Sequence, residues 1–257
     1  MSGFLKSLKS NIPSIITMLN LLSGCFAILL SFYDVALAGL MVLLAGVLDF
    51  ADGLAARLLN AYSDFGKELD SLADMVSFGV APSFILFHLL LNSLMAGDPL
   101  FSVDLLTAGE AAILASAFLP ALFAALRLAK FNLDDSKTKS FSGLPSPAAG
   151  IFFASAGYIL LTTEISWIRE ALVNTGLLMT LNISLSLLMI VPIPMFDIKF
   201  SNFRPGENKI RYLFALPSLF LVIYWGLQSI PVIILYYILL SLILLLTGES
   251  RPVKTSG

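Results

Sequence analysis

Apolar residues run along this chain in stretches close to the length of a bilayer crossing, separated by short polar segments. The stretches extend over Ile12–Phe32, Val35–Leu58, Leu69–Met95, Ala108–Phe131, Pro147–Leu161, Ala171–Val191, Tyr212–Leu227 and Ile230–Leu246. A helix gains about 1.5 Å per residue and needs roughly 20 apolar residues to cross the hydrocarbon core. The pattern predicts an all-α integral membrane protein with about eight transmembrane helices; the fifth and seventh stretches are among the shortest. No long hydrophilic domain or internal repeat interrupts it, and the longest polar stretches are LDDSKTKSFSG and DIKFSNFRPGENK. The chain is therefore read as a single membrane domain, 1–257. Its parts are an interfacial segment over 1–10, a core of six spans over 11–195, a loop over 196–211, two further spans over 212–247 and a tail over 248–257.

Charge placement gives this count a direction. Cytoplasmic loops of membrane proteins retain Lys and Arg. Lys6 and Lys9 precede the first span, Arg57 and Lys67 follow the second, and Arg127, Lys130, Lys137 and Lys139 follow the fourth. Lys199, Arg204, Lys209 and Arg211 follow the sixth, Arg251 and Lys254 follow the eighth, and Arg169 alone falls on the opposite side. An even number of spans with both termini cytoplasmic fits this distribution. A hydrophobic fraction of 58% against 12% charged residues excludes a soluble globule, and the net charge of −2 says nothing of partners. Cys25 is the one cysteine, so no intrachain disulfide forms. LLSGC, ending at Cys25, looks like a lipoprotein signal, but FAILLSF continues the apolar run where a mature lipoprotein turns polar; an uncleaved first span is expected.

Against this oily background one stretch crowds its acids. DFADGLAARLLNAYSDFGKELDSLAD, residues 49–74, holds six of the 17 acids: Asp49, Asp52, Asp64, Glu68, Asp70 and Asp74. Asp49, Asp52, Gly53 and Ala56 share one helix face, and Gly66, Asp70 and Asp74 repeat that geometry at steps of four. Two antiparallel helices joined by LLNAYSDFGK bring four carboxylates together near the cytoplasmic surface; Asp64 and Glu68 fall off the pattern as loop and surface charges. Like charges in a partly dry bundle repel and need a cation. Clustered carboxylate oxygens suit Mg²⁺, Mn²⁺ or Ca²⁺, and no His or Cys stands nearby to favour zinc. Two such ions close together are a known solution for phosphoryl transfer. Gly53, Ala56 and Gly66 would let a bulky ligand approach the backbone, and Arg57 would clamp a phosphate. Single acids at span ends are commonly solvated, and small residues in such helices commonly serve packing. Those roles do not account for the whole spacing D-x2-D-G-x2-A-R-x8-G-x3-D-x3-D.

That spacing resembles, without a mismatch, the signature of the CDP-alcohol phosphatidyltransferases. The resemblance implies cleavage of the pyrophosphate of a CDP-linked lipid, transfer of the phosphoryl-bearing half to an acceptor hydroxyl, and release of CMP. It implies that Asp49, Asp52 and Asp70 bind Mg²⁺ or Mn²⁺, two ions being expected, with Asp74 a ligand or the base that takes the acceptor's proton. Gly53, Ala56 and Gly66 would face the cytidine nucleotide. NIPSIITMLNLLSG at 11–24, SFGVAPS at 77–83, LRLAKFN at 126–132 and FSGLPSPAAG at 141–150 further resemble the bacterial and archaeal type of phosphatidylserine synthase. CDP-diacylglycerol and L-serine are then the implied substrates, in a prokaryotic cell membrane, with membrane lipids around the protein, a homodimer as the family expectation and no nucleic acid among its partners. The family core has six spans, so the last pair departs from the minimum; packing or dimer surface is the expectation for it.

Thr17 and Asn20, three apart on the first span with Gly24 a turn on, present polar groups to one inward face. They are expected to bind the CDP-lipid, with an interhelical hydrogen bond as the structural alternative. Arg127, Lys130, Asn132, Lys137 and Lys139 are candidates for the serine carboxylate or lipid phosphate; plain topology determinants and anionic-lipid contacts are the alternative. Ser142 to Pro147 reads as a tight interfacial turn. His88 is expected to be a buried, hydrogen-bonded or interfacial histidine, Trp167 and Trp225 to anchor at the interfaces, and AAGIFFASAG at 148–157 to serve close helix packing. A rival acceptor such as glycerol 3-phosphate or inositol phosphate calls for more basic residues than serine does. A cation-coupled or proton-coupled transporter would place acids near mid-bilayer in two related halves, which this chain does not show.

Overall fold

The computed structural model describes residues 2–97, 106–133, 143–196 and 208–247, with only the backbone of 2–10. Lys137, Lys139, Ser142 and the tail 248–257 lie outside the described residues, as does most of the 196–211 loop. The described residues form an all-α bundle: α1 (Ser2–Ser31), α2 (Val35–Leu59), α3 (Asp64–Asp74), a π-helical segment (Met75–Val80), α4 (Ala81–Gly97), α5 (Ala108–Ser116), α6 (Leu119–Leu133), α7 (Ser146–Thr162), α8 (Ser166–Leu172), α9 (Thr175–Ile190), α10 (Lys209–Trp225), a 3₁₀ turn (Gly226–Ser229) and α11 (Ile230–Thr247). Short polar caps start several of these helices. Asp34 accepts from Ala36 and Leu37 N–H, Ser63 from Gly66 N–H, and Asn174 from Leu177 N–H. Thr107 and Glu110 make a reciprocal capping box.

By length and composition five helical segments are fit to cross a membrane: Asn11–Ser31, Val35–Leu59, Asp64–Ala96, Ala108–Leu133 and Lys209–Thr247. A sixth is the pair α8 and α9 taken together, bent by 66°. This is a multi-pass membrane protein. The sixth expected stretch, read as one rod over Ala171–Val191, is thus preceded by a short helix and broken at Val173 and Asn174, where Asn174 caps the next helix. The 39-residue segment Lys209–Thr247 is not one rod. Tyr236 Oη donates to the Leu213 carbonyl at 2.8 Å, and the Tyr236 ring stacks on Phe214 with centroids 5.8 Å apart. In a straight helix residues 213 and 236 would stand roughly 35 Å apart. The chain reverses at Gly226, whose φ of +58° a side-chain-bearing residue rarely adopts, so α10 and α11 form a hairpin.

The centre of the bundle is α7, the helix of small residues. Eleven of its positions are buried, from Ser146 to Leu160. A Cβ on Gly39 of α2 would fall onto the Ala154 carbonyl, one on Gly157 would meet Val35 and Ile85, and one on Gly150 would stand 2.6 Å from the Phe78 carbonyl oxygen. These positions are why AAGIFFASAG is rich in Gly and Ala: the backbones of α2, α7 and the π segment touch, as expected for interior membrane helices. His88 was expected to be buried and hydrogen-bonded or interfacial, and it is half-buried. Its ring packs edge-on against Phe32 and Phe87 at 5.4 and 5.5 Å, and its buried Nε2 has no hydrogen-bond partner among the described residues. The wall there is aromatic, so the histidine is held by ring contacts. Trp167 and Trp225 are both exposed, in keeping with interfacial anchoring.

Candidate metal and nucleotide site

The acids meet where α2 turns into α3. Helix α2 ends in Asn60, which adopts the left-handed conformation (φ 49°, ψ 42°) and donates its N–H back to Arg57 O, while Ala61 N–H reaches Ala56 O. Asn tolerates that conformation better than most residues. Ser63 then caps α3, and Asp64 sits in its first turn, where a negative charge meets the positive end of the helix dipole. Asp64 is therefore the surface acid it was expected to be. The four-residue reversal swings Asp70 and Asp74 of α3 against Asp49 of α2. Ligand oxygens of Asp49, Asp70 and Asp74 lie within 4.8 Å of one another. Asp49 and Asp52 act electrostatically on Asp70, and Asp49, Asp70 and Asp52 on Asp74, so all four carboxylates share one field.

Asp52, expected among the ligands, stands outside the convergent triple. It is buried, and its Oδ2 lies 2.6 Å from Thr17 Oγ1 of α1. That hydroxyl also lies 3.0 Å from the Pro13 carbonyl. A hydroxyl has one proton to give, and the shorter bond to a carboxylate is the stronger. Asn20, one turn along α1, is fully buried, its side-chain oxygen and nitrogen both without a hydrogen-bond partner among the described residues. Its amide lies beside Asp74. The inward face expected from the spacing of Thr17, Asn20 and Gly24 is present. For Thr17 the structural alternative, an interhelical bond, is the observed arrangement, and its partner is one of the site's own acids.

The carboxylate set fits a divalent cation. Asp70 Oδ1 and Asp74 Oδ1 are buried without a hydrogen-bond partner among the described residues. Ligands of one Mg²⁺ or Mn²⁺ stand up to about 4.2 Å apart across an ion at roughly 2.1 Å from each. Oxygens within 4.8 Å of one another can converge on such an ion with small adjustment. The donor set is oxygen throughout, which suits a hard cation.

The glycines of this region divide into two kinds. A Cβ on Gly24 would stand 2.5 Å from Ser77 Oγ and 2.9 Å from Ser77 Cα, so that glycine serves the contact of α1 with the π segment. A Cβ on Gly53 would meet nothing closer than Arg57 Nη1 at 3.7 Å, and one on Gly66 would meet only its cap, Ser63 Oγ, at 3.0 Å. Packing among the described residues does not require a glycine at 53. Ala56 is half-buried and Arg57 exposed on the same end of α2.

Among the acceptor candidates, Arg127 of α6 is half-buried, its Nε buried without a hydrogen-bond partner among the described residues, with Asp74 among its electrostatic neighbours. Lys130 is exposed in the last turn of α6. Asn132 is engaged elsewhere: it bonds Ser71 at 3.1 Å and Glu68 at 3.3 Å, tying the end of α6 to α3. Glu68 thus takes part in this tie as well as being a surface charge. Gly143 and Leu144, expected in a tight interfacial turn, donate to Ile193 O and Leu188 O at 2.9 and 2.7 Å, so the described part of that turn is pinned to the end of α9. Two groups escaped the sequence reading. Ser77, three residues past Asp74, donates to the Asn20 carbonyl at 3.0 Å. Tyr237 was passed over as one more apolar residue, although the Tyr236-Tyr237 pair is the one place where α11 carries aromatic hydroxyls.

Comparison with known proteins follows this geometry. Residues 10–188 match the model of the family described as CDP-alcohol phosphatidyltransferase. The chain is 42% identical over 141 residues to a CDP-diacylglycerol–serine O-phosphatidyltransferase of Bacillus subtilis, covering 54% of this chain and 71% of that relative. It is 35% identical over 205 residues to a protein of the same name from Methanocaldococcus jannaschii, 79% of each chain. A Helicobacter pylori protein, also of that name, is 29% identical over 236 residues, 90% of this chain and 89% of its own.

Proposed function

Since the chain belongs to the CDP-alcohol phosphatidyltransferase family, we propose that it is a phosphatidylserine synthase, which moves the phosphatidyl group of CDP-diacylglycerol onto the hydroxyl of L-serine and releases CMP. The serine oxygen forms a bond to the β-phosphorus as the bond to the bridging pyrophosphate oxygen breaks, and the hydroxyl proton leaves to a carboxylate. The observation that carries this reading is the convergence of Asp49, Asp70 and Asp74, two of them with unpartnered buried oxygens, beside a glycine face that packing does not need. The names of the similar proteins support serine as acceptor.

In this reading Asp49, Asp52, Asp70 and Asp74 hold two Mg²⁺ or Mn²⁺ ions, which when bound supply positive charge to the transferring phosphoryl group. Thr17 fixes the orientation of Asp52 through their hydrogen bond. Gly53, Ala56 and Gly66 leave room for the nucleotide, Asn20 offers its amide to the lipid pyrophosphate, and Arg57 meets phosphate from the exposed end of α2. Asp74 takes the serine proton; a positioned base contributes roughly 10²- to 10⁴-fold in rate. Arg127 receives the serine carboxylate, with Lys130 in support; Lys137 and Lys139, outside the described residues, belong to the same expected basic set. Asn132 holds α6 against α3. The distribution of basic residues supports a cytoplasmic side for the site and both termini, in a prokaryotic cell membrane, and the family expectation is a homodimer.

A purified sample in detergent with CDP-diacylglycerol and Mn²⁺, offered serine, glycerol 3-phosphate or inositol phosphate separately, tests the acceptor. CMP release with serine is expected to exceed the others by more than about tenfold. Release with glycerol 3-phosphate alone would overturn the serine assignment while leaving the family chemistry intact.

A further inference from the structure

The buried serines of this bundle commonly turn their hydroxyls back onto their own helix: Ser83 donates to Gly79 O, Ser155 to Phe152 O and Ser241 to Tyr237 O. Ser77 does not. It is fully buried in the π segment, and its hydroxyl crosses to α1, where it donates to the Asn20 carbonyl at 3.0 Å. The crossing is closely fitted: a Cβ on Gly24, one turn further along α1, would stand 2.5 Å from Ser77 Oγ. Helix α1 and the rod formed by α3, the π segment and α4 run in the same direction, since Asn20 meets Ser77 and, further along both, Phe32 meets Phe84 with ring centroids 5.6 Å apart. Three residues before Asn20 stands Thr17, and three before Ser77 stands Asp74. Thr17 in turn holds Asp52 of α2 at 2.6 Å. One helix is thus bonded to both carboxylate-bearing rods, to α2 through Thr17 and to the continuation of α3 through Asn20.

We propose that Ser77 is a positioning residue for the carboxylate site: its bond to α1 fixes how far α3 stands along that helix, and so holds Asp74 level with Thr17 and with the Asp52 that Thr17 grips. Membrane helices packed on small residues have no hydrophobic force to set their register, and a hydrogen bond between helices supplies a directional one. The π segment begins directly after Asp74 and shifts the helical phase there, so the packing of α4 does not by itself set the face that α3 presents. This rests on the proposed metal binding, in which Asp52 and Asp74 are ligands. Ser77 acts on them through α1 and is no ligand itself.

The test measures the Mn²⁺ dissociation constant of the full-length protein in detergent, by electron paramagnetic resonance, in wild type, Ser77→Ala and Ser83→Ala. Ser83→Ala deletes the same atom at an equally buried position, where the hydroxyl donates to Gly79 O and accepts from Ala121 N–H. The constant should rise roughly fivefold in Ser77→Ala, the scale of one buried hydrogen bond. In Ser83→Ala it should stay within about twofold of wild type, the cost of that lost bond falling on thermal stability. Loss of folded protein lowers the capacity for Mn²⁺ and not the constant, so the comparison survives a less stable variant. In a Thr17→Val background, where Asp52 is already released from α1, Ser77→Ala should add less than about twofold, since coupled residues are not additive. Equal constants in wild type and Ser77→Ala, equal weakening in the two serine variants, or independent multiplication with Thr17→Val would overturn the proposal. Wild-type protein without saturable Mn²⁺ binding would instead overturn the metal reading on which the proposal stands.

Discussion

Asp52 and Gly53 are adjacent in the chain and answer to different demands. Asp52 points into the bundle and takes the Thr17 hydroxyl at 2.6 Å, whereas a Cβ on Gly53 would have only Arg57 Nη1 within 4 Å among the described residues. Crowding of acids in an apolar chain was legible from spacing alone, as was the inward face of α1. What spacing did not reveal is the division among the acids, because a repeat of three or four residues says which groups share a face and not which one a neighbouring helix has already engaged. Gly53→Ala separates the packing and ligand-binding roles of small residues. In a helix interior that change favours folding by up to about 1 kcal/mol, so thermal stability should hold or rise. If a nucleotide occupies the open face, KM for CDP-diacylglycerol should increase roughly tenfold, about 1.4 kcal/mol. An unaltered KM would assign Gly53 no part in binding.

At the scale of elements, the apolar stretches located most helix ends closely: Val35–Leu58 was expected and α2 runs Val35–Leu59, and Pro147–Leu161 became Ser146–Thr162. The π segment over Met75–Val80 had no signal in hydrophobic periodicity, since one additional residue per turn shifts the pattern no more than ordinary sequence variation does. Its surroundings explain its persistence. Ser77 bonds the Asn20 carbonyl, Gly24 and Gly150 admit the segment on two sides, and Gly79 faces Ala121 and Ala124 on a third. The segment begins at the residue after Asp74, so these contacts fix the end of α3 relative to Asn20. Gly24→Ala would press a Cβ to 2.9 Å from Ser77 Cα, a backbone atom that cannot swing aside. Overpacking of this kind costs about 1–3 kcal/mol. The variant should lose thermal stability in detergent by that order, with activity falling in the fraction that remains folded. Stability equal to wild type would show that the two backbones are not held as closely as described.

Over the whole molecule, the bundle gathers its chemistry at one place. Helices α2 and α3 supply the carboxylates, α1 reaches them with Thr17 and Asn20, and α6 carries the half-buried Arg127. These four elements were legible because the signature residues are close in sequence. The tie of the hairpin was not, because Tyr237 bonds the Phe196 carbonyl across 41 residues and the stretch around it is aliphatic apart from Tyr236. Four mutually repelling carboxylates share one field either by taking up protons or by holding a cation, and the all-oxygen donor set favours the cation. Binding of Mn²⁺ to the purified protein, followed by electron paramagnetic resonance as loss of the free-ion signal, tests that statement directly, without need of turnover. The expected result is saturable binding that weakens at least roughly tenfold in Asp70→Asn, a substitution that preserves shape and removes one hard-oxygen charge. Equal Mn²⁺ binding by wild type and Asp70→Asn would contradict the account.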